Sequence, residues 1–549
     1  MKKTLKTLAI AVIGLAAVAC SSAQKMAELA DNVVVKCDPA VLECIGGSID
    51  PTVTVTYPAN YFHPKAILEV TPVIVYEGGE SKMAPLMYQG EKVKDNYKVV
   101  PKVGGTIAEK LHFDYVEGME KSHLELRGVV RYKAKSFQLP TKKVADGLNT
   151  TYMLVKAGGQ VPMKADGYLP VIKQTAEGQI MYKVNSADVQ AAQLKGKSVK
   201  DFQDALDEIL DNERKTLVGT EVVAYASPEG GEKLNAKLSD KRAGTADKAW
   251  DKIVKGKDVT DPEVKSMGQD WEGFQELVQN SNIEDKDLIL RVLSMYSDPA
   301  VRESEIKNMS SVYTELKSDI LPELRRARFI ANVEFKNYTA DELIKLVDSN
   351  SDILDEPALL HAATLVKDLN SKVKLYNKAI DKFDSDKARF NLACAYLNAG
   401  DLKKAAKAFA NVETKDEELT NALGVLALRE GDYEKATSLF KKAGTKVAKT
   451  NQGVIDILTG DYEKAVSDLK DAEGCCNNTV LAYVLTNQLD KAAKAAHCKD
   501  ASVNYLRAII AARQGNFDQV KTYLDQVAKQ DKALAERALK DVEFAEYYK

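Results

Sequence analysis

Thiols carry most of the reactive chemistry in this sequence, which has 7 cysteines and 5 histidines in 549 residues. Cys37 and Cys44 stand close enough in the chain to close a small loop, and in an oxidising compartment they are expected to form a disulfide. Cys475, Cys476 and Cys498 follow the second helices of consecutive helical repeats. Those loops are neighbours in a stacked array, so one of the pair, Cys476 in first place, can bond to Cys498; free thiols are the alternative. His497 adds a third donor type, but vicinal Cys-Cys and adjacent His-Cys lack ordinary zinc spacing, so no metal is expected. Cys394 lies on a helix and reads as a small buried filler. None of the histidines (His63, His112, His123, His361, His497) falls in a motif for a nucleophile or a metal. Carboxylates alternate with lysines along helix faces, the pattern of a solvated surface. No Gly-rich phosphate loop is present. No catalytic residue and no cofactor is expected, and the chain reads as non-enzymatic. The 77 basic and 80 acidic residues nearly cancel, which leaves no electrostatic footprint for nucleic acid.

The most informative stretch is Val222–Ala243. Val222, Val223 and Tyr225 give a strand. Ser227-Pro228-Glu229-Gly230-Gly231 gives a turn, and Leu234, Leu238 and Ala243 give an apolar stripe on a helix. Taken alone, Arg242 is an exposed helix residue pairing with Asp240 or Glu232. The segment resembles the signature of OmpA-like domains, which bind peptidoglycan. Asn235, Leu238, Ser239, Arg242 and Ala243 fall on that pattern without a gap, while Ala226 and Ser227 replace its Thr-Asp. The resemblance implies a site in which Asp and Arg together grip the zwitterionic end of diaminopimelate. Arg242 keeps one half of it. Ser227 offers a neutral hydroxyl, and Glu229, two residues on, is the candidate for the ammonium. Loss of one such charged contact costs about 2–5 kcal/mol, so any peptidoglycan binding is expected to be weak.

Residues 1–19 read as a signal peptide: Lys2, Lys3 and Lys6 precede an apolar run from Leu8 to Val18. The run Ala17-Val18-Ala19-Cys20 resembles a lipobox. It implies cleavage before Cys20 and acylation of its sulfur, a firm outer-membrane anchor; ordinary cleavage after Ala19 is the alternative. Residues 20–31 form the lipidated linker. No acidic cluster follows Cys20, which in Bacteroidota-type lipoproteins favours the periplasmic face.

The remainder reads as a multidomain chain. Residues 32–146 form an antiparallel, immunoglobulin-like β-sandwich, with alternating strands such as Val53–Tyr57 and Leu68–Val70 and a further strand at Val129–Tyr132. Residues 147–177 are a linker. Residues 178–337 form a central α+β OmpA-like domain, with a first strand at Ile180–Val184, a helix over Val199–Asn212, a long helical insertion over Lys286–Arg325, and a final strand from Arg325 to Phe335. Residues 338–549 are an all-α solenoid. There Gly400-Asp401, Gly431-Asp432, Gly460-Asp461, Asn487-Gln488 and Gly515-Asn516 recur about 27–31 residues apart, each followed by Ala405, Ala436, Ala465, Ala492 or Val520. These resemble tetratricopeptide repeats, in which a concave groove binds protein partners. Arg389, Asn391, Asn421 and Asn451 line it. The function this organisation implies is a scaffold or tether that joins the lipid anchor to the OmpA-like module and a protein-binding solenoid. The alternative is an assembly factor whose OmpA-like module binds protein rather than peptidoglycan.

Overall fold

The computed structural model describes residues 23–283, 285–474 and 476–549, without the side chains of residues 310–312. The leader, Cys20 and Cys475 lie outside the described residues. The chain divides into two compact units. One joins the N-terminal part, through Lys164, to Asp384–Lys549; the other is Ala165–Phe383.

In the first unit, strands Val34–Asp38, Thr52–Tyr57 and Gly105–Lys110 make a three-stranded sheet. Its partner has eight strands, centred on Ile67–Tyr76 and Ser122–Tyr132. Period-two alternation places Leu124, Leu126 and Val130 on the inner face, where Leu124 lies opposite Ile74 and Val130 opposite Leu68. Tyr57, Leu68, Tyr88 and Val130 close the space between the sheets. The pairing is not wholly antiparallel. Lys142–Asn149 runs parallel to Val41–Glu43, and Leu86–Gly90 parallel to Lys98–Val100. Sheets of three and eight strands also differ from the balanced sheets of an immunoglobulin domain.

Asp384–Lys549 folds as helical hairpins, the first Asp386–Asn398 with Leu402–Ala410 and the last Ala501–Arg513 with Phe517–Gln530. The recurrent Gly-Asp has a local cause. Gly431 and Gly460 end their helices with φ of 82° and 88°, a left-handed conformation that suits glycine. Asp401 and Asp432 then cap the next helix by accepting the amides of Lys404 and Lys435. Ala405, Ala436, Ala465, Ala492 and Val520 are fully buried where the two helices meet. Gly424 lets the helices approach: a Cβ there would stand 2.5 Å from the Phe440 ring. Core residues of the sandwich (Leu42, Ile74, Leu124, Leu148) and of the last hairpins (Leu481, Tyr505, Ile509, Phe544) form one continuous cluster. The sandwich and these hairpins therefore share a core.

The second unit contains a four-stranded sheet in the order Val171–Met181, Arg326–Lys336, Lys215–Ala226, Glu263–Gln269. The first two pairings are antiparallel and the last is parallel. Helices Lys197–Asp211 and Glu232–Ile253 cover it through Phe202, Leu206, Ala246 and Trp250. The first strand starts seven residues before the expected boundary at 178, inside the segment read as linker. The helical insertion begins at Trp271 and builds its own core from Phe274, Ile289, Leu293 and Leu316. Helices Ala340–Ser349, Glu356–Leu365 and Leu369–Phe383 belong to this unit and not to the solenoid unit as expected from residue 338.

Candidate functional site: an occupied peptide groove

The inner helices of the hairpins present a row of amide side chains. Asn391, Asn421, Asn451 and Asn477 are almost wholly buried, with Asn451 at 0% exposure. An unpaired buried amide is costly, so each needs a partner. The partner is the segment Leu154–Lys164 of the same chain. It leaves the sandwich through a short turn, Thr151–Leu154, and then crosses the hairpins without regular secondary structure.

The contacts repeat with chemical regularity. The amide of Lys156 donates to Asn478 Oδ1 at 2.8 Å, and Asn478 Nδ2 donates back to the Lys156 carbonyl at 3.0 Å. Gln160 makes the same exchange with Asn451, at 2.7 and 2.8 Å. Lys164 makes it with Asn391, at 2.8 and 3.0 Å. Asn421 Nδ2 adds a bond to the Gln160 carbonyl at 3.1 Å, and Asn421 Oδ1 accepts one from Asn451 Nδ2 at 2.9 Å. Asn477 Nδ2 donates to the Leu154 carbonyl at 3.0 Å, and Arg429 Nε to that of Gly158 at 2.6 Å. A primary amide offers a donor and an acceptor side by side, so it pairs with one backbone residue as a β-strand neighbour does. This recognition reads the backbone and not the side chains.

Charge fixes the two ends. Lys164 Nζ pairs with Asp416 and, at 2.8 Å, with Glu418. Burial alone would lower the Lys164 ammonium, but these two carboxylates outweigh it and raise it. Lys156 Nζ lies 3.2 Å from Asp500. Val155 and Val161 pack on the apolar clusters of the hairpins. Gly159, with φ of 66°, passes so close that a Cβ would stand 2.9 Å from Val425. The groove positions Asn391, Asn421 and Asn451 are thus where the sequence places them. The open groove expected to take protein partners is instead filled in cis. Arg389, also expected there, pairs with Asp384.

The Val222–Ala243 constellation is also occupied from within. Arg242 is 1% exposed. Its donors go to three backbone carbonyls: Ser186 at 3.0 Å, Tyr225 at 2.9 Å and Lys183 at 3.2 Å. Its guanidinium lies 4.9 Å from the Tyr182 ring centre, and burial lowers its pKa to about 10. Arg242 is therefore not the exposed partner of Asp240 or Glu232, and three of its five N–H donors are committed to backbone carbonyls. Ser227 Oγ donates to Glu229 at 2.8 Å, and Glu229 takes a two-pronged pair from Arg325 at 2.9 and 3.2 Å. Asn235 Nδ2 closes the turn on the carbonyls of Ser227 and Gly230. Pro228 shares a small pocket with Trp271, Phe274 and Leu316 of the insertion, which packs over the turn. The helix stripe differs too. Leu234 is 58% exposed, and the buried face is Asn235, Ser239, Arg242 and Ala246, because the first turns satisfy polar backbone groups.

The thiols of Cys37 and Cys44 are free rather than bridged. Cys37 is paired on a strand opposite Val53, while the Cys44 Sγ turns to the Tyr152 hydroxyl at 3.7 Å. Cys394 is a buried filler, its thiol pushed up to about 12 by burial. Cys476, His497 and Cys498 place their donor atoms within 4.8 Å of one another.

The fold and groove define a class: stacked helical hairpins that hold an extended chain by side-chain amides. The tetratricopeptide repeat family matches residues 386–412, the first hairpin of the row. Among solved structures, a tetratricopeptide repeat protein from Parabacteroides merdae aligns at 14% identity with a TM-score of 0.30, over 36% of this chain and 91% of its own. Pseudomonas aeruginosa PilF aligns at 14% identity and 0.27, over 37% and 96%. Yeast Tom70 aligns at 13% identity and 0.28, over 64% and 78%. No curated protein matches. The matched hairpin and the Gly-Asp and Ala positions repeated after it carry the assignment of this part as a tetratricopeptide-type solenoid. No helix among the described residues is long and apolar enough to cross a membrane.

Proposed function

We propose that this chain is a non-enzymatic scaffold of the cell envelope, tethered to the outer membrane through lipid on Cys20 and facing the periplasm. The observation that carries the scaffold reading is the amide ladder from Asn391 to Asn478, closed on Leu154–Lys164. It spends the repeat groove on joining sandwich and solenoid into one body, and leaves protein partners to the outer surfaces. The anchor reading rests on the basic and apolar leader and on the place of Cys20.

The central module supports an OmpA-like reading through its strand–turn–helix and its mixed four-stranded sheet. The commitment of Arg242 to backbone carbonyls favours the assembly-factor form of the proposal, in which this module is structural or protein-binding and peptidoglycan is bound weakly or not at all. Two measurements test this. Cys20→Ser should move the protein from the membrane pellet to the soluble fraction, and unchanged fractionation would sink the anchor. Purified sacculi should fail to retain the chain, whereas tight retention would restore the peptidoglycan reading.

A further inference from the structure

Cys476 precedes helix Asn477–Leu485, and Cys498 lies in the loop before helix Ala501–Arg513. Their Sγ atoms are 2.7 Å apart, and each residue's backbone amide points at the other's sulfur at 3.4 Å. That separation is inside the contact distance of two unbonded sulfurs, and both thiols are free in the structure, so the pair stands where one bond would join it. The separation is also too short for two thiolates on one zinc, whose bonds of about 2.3 Å in a tetrahedron hold sulfurs well beyond 3 Å apart. The residues next to these cysteines moor one end of the groove-filling segment Leu154–Lys164, the strap. Asn477 and Asn478 hold the backbone of Leu154 and Lys156, and Asp500 pairs with the Lys156 ammonium.

We propose that Cys476 and Cys498 form a disulfide that latches the strap's mooring. The oxidant is a small disulfide of the glutathione type. Cys498 is partly exposed, while burial, and then Cys498 beside it, raise the Cys476 thiol above its ordinary value. Cys498 therefore attacks the oxidant first, as thiolate, and releases one small thiol. Cys476 then attacks the mixed disulfide and releases the second. Two electrons pass from the protein thiols to the oxidant, which leaves as two thiols carrying the two protons. The bond ties the start of one inner helix to the cap of the next, so Asn477, Asn478 and Asp500 hold a fixed spacing.

The test uses the purified full chain in oxidised and reduced glutathione buffers, which makes it independent of the envelope reading. Thiol labelling and mass spectrometry should find one bridge, kept in Cys475→Ser and lost in Cys476→Ser and Cys498→Ser. The bridge should raise the melting temperature of the unit that contains it by roughly 5 °C. Reduction should speed hydrogen exchange at the Lys156 amide about tenfold or more, with little change at Lys164. A bridge lost in Cys475→Ser but kept in Cys476→Ser would overturn the pairing. Zinc retained at one equivalent, with thiols that label only after chelation, would overturn the disulfide. Equal exchange at Lys156 in both redox states would overturn the latch.

Discussion

Asn451→Leu should free the strap while the hairpins stay folded. The side chain is fully buried, and leucine has the same branched skeleton of heavy atoms, so the change removes hydrogen bonds without leaving a cavity. It leaves the Gln160 amide without its acceptor and Asn421 Oδ1 without its donor. Each buried group left unpaired costs about 1–3 kcal/mol, so docking should weaken by about 2–4 kcal/mol. At 1.4 kcal/mol per decade, trypsin should cut after Lys156 and Lys164 roughly thirty-fold to several-hundred-fold faster than in the wild type. Asn504, in the last hairpin, bonds to Lys499 and Gln530 instead of the strap and serves as the control. Asn504→Leu should leave strap cleavage near the wild-type rate. Equal cleavage in Asn451→Leu and wild type would mean that the amide ladder does not hold the strap.

Arg242→Leu should destabilise the central unit by about 3–5 kcal/mol, because it removes three charge-assisted hydrogen bonds that tie the helix to the backbone of Ser186, Tyr225 and Lys183. The two tryptophans of the chain, Trp250 and Trp271, both lie in this unit, in the sheet's core and in the insertion. Their fluorescence in a urea titration therefore reports it alone. The midpoint should fall markedly in Arg242→Leu. A ligand-gripping arginine would behave otherwise: its loss would leave the urea midpoint in place and abolish binding to diaminopimelate peptides. That outcome would contradict the structural role given to Arg242.

The repeats were legible because their signals are local. A left-handed glycine, an aspartate cap and a buried alanine recur in one order, and each acts within a few residues of itself. The recurrence of Asn391, Asn421 and Asn451 was legible as well, but not what they hold. Leu154–Lys164 has no apolar period, so its place among the hairpins is set by tertiary contacts that no window of sequence contains. Helices between Ala340 and Phe383 share the periodicity of the solenoid, and only their packing assigns them to the central unit. Arg242 misled for a different reason. Flanked by Lys241 and followed on its helix by Asp247 and Lys248, it looks solvated, yet the carbonyls of Ser186, Tyr225 and Lys183 demand a donor of its shape. In the sandwich, alternation located the strands but not their partners. Period two is the same for parallel and antiparallel neighbours.

Hydrogen exchange of individual strap amides in the wild-type chain reads directly whether the strap lies in the groove. The amides of Lys156, Gln160 and Lys164 donate to asparagine side chains, so they should exchange slowly, Gln160 at a rate near that of the inner helices. Exchange of all three within seconds, at the rate of an exposed loop, would contradict that placement and return the groove to an outside partner.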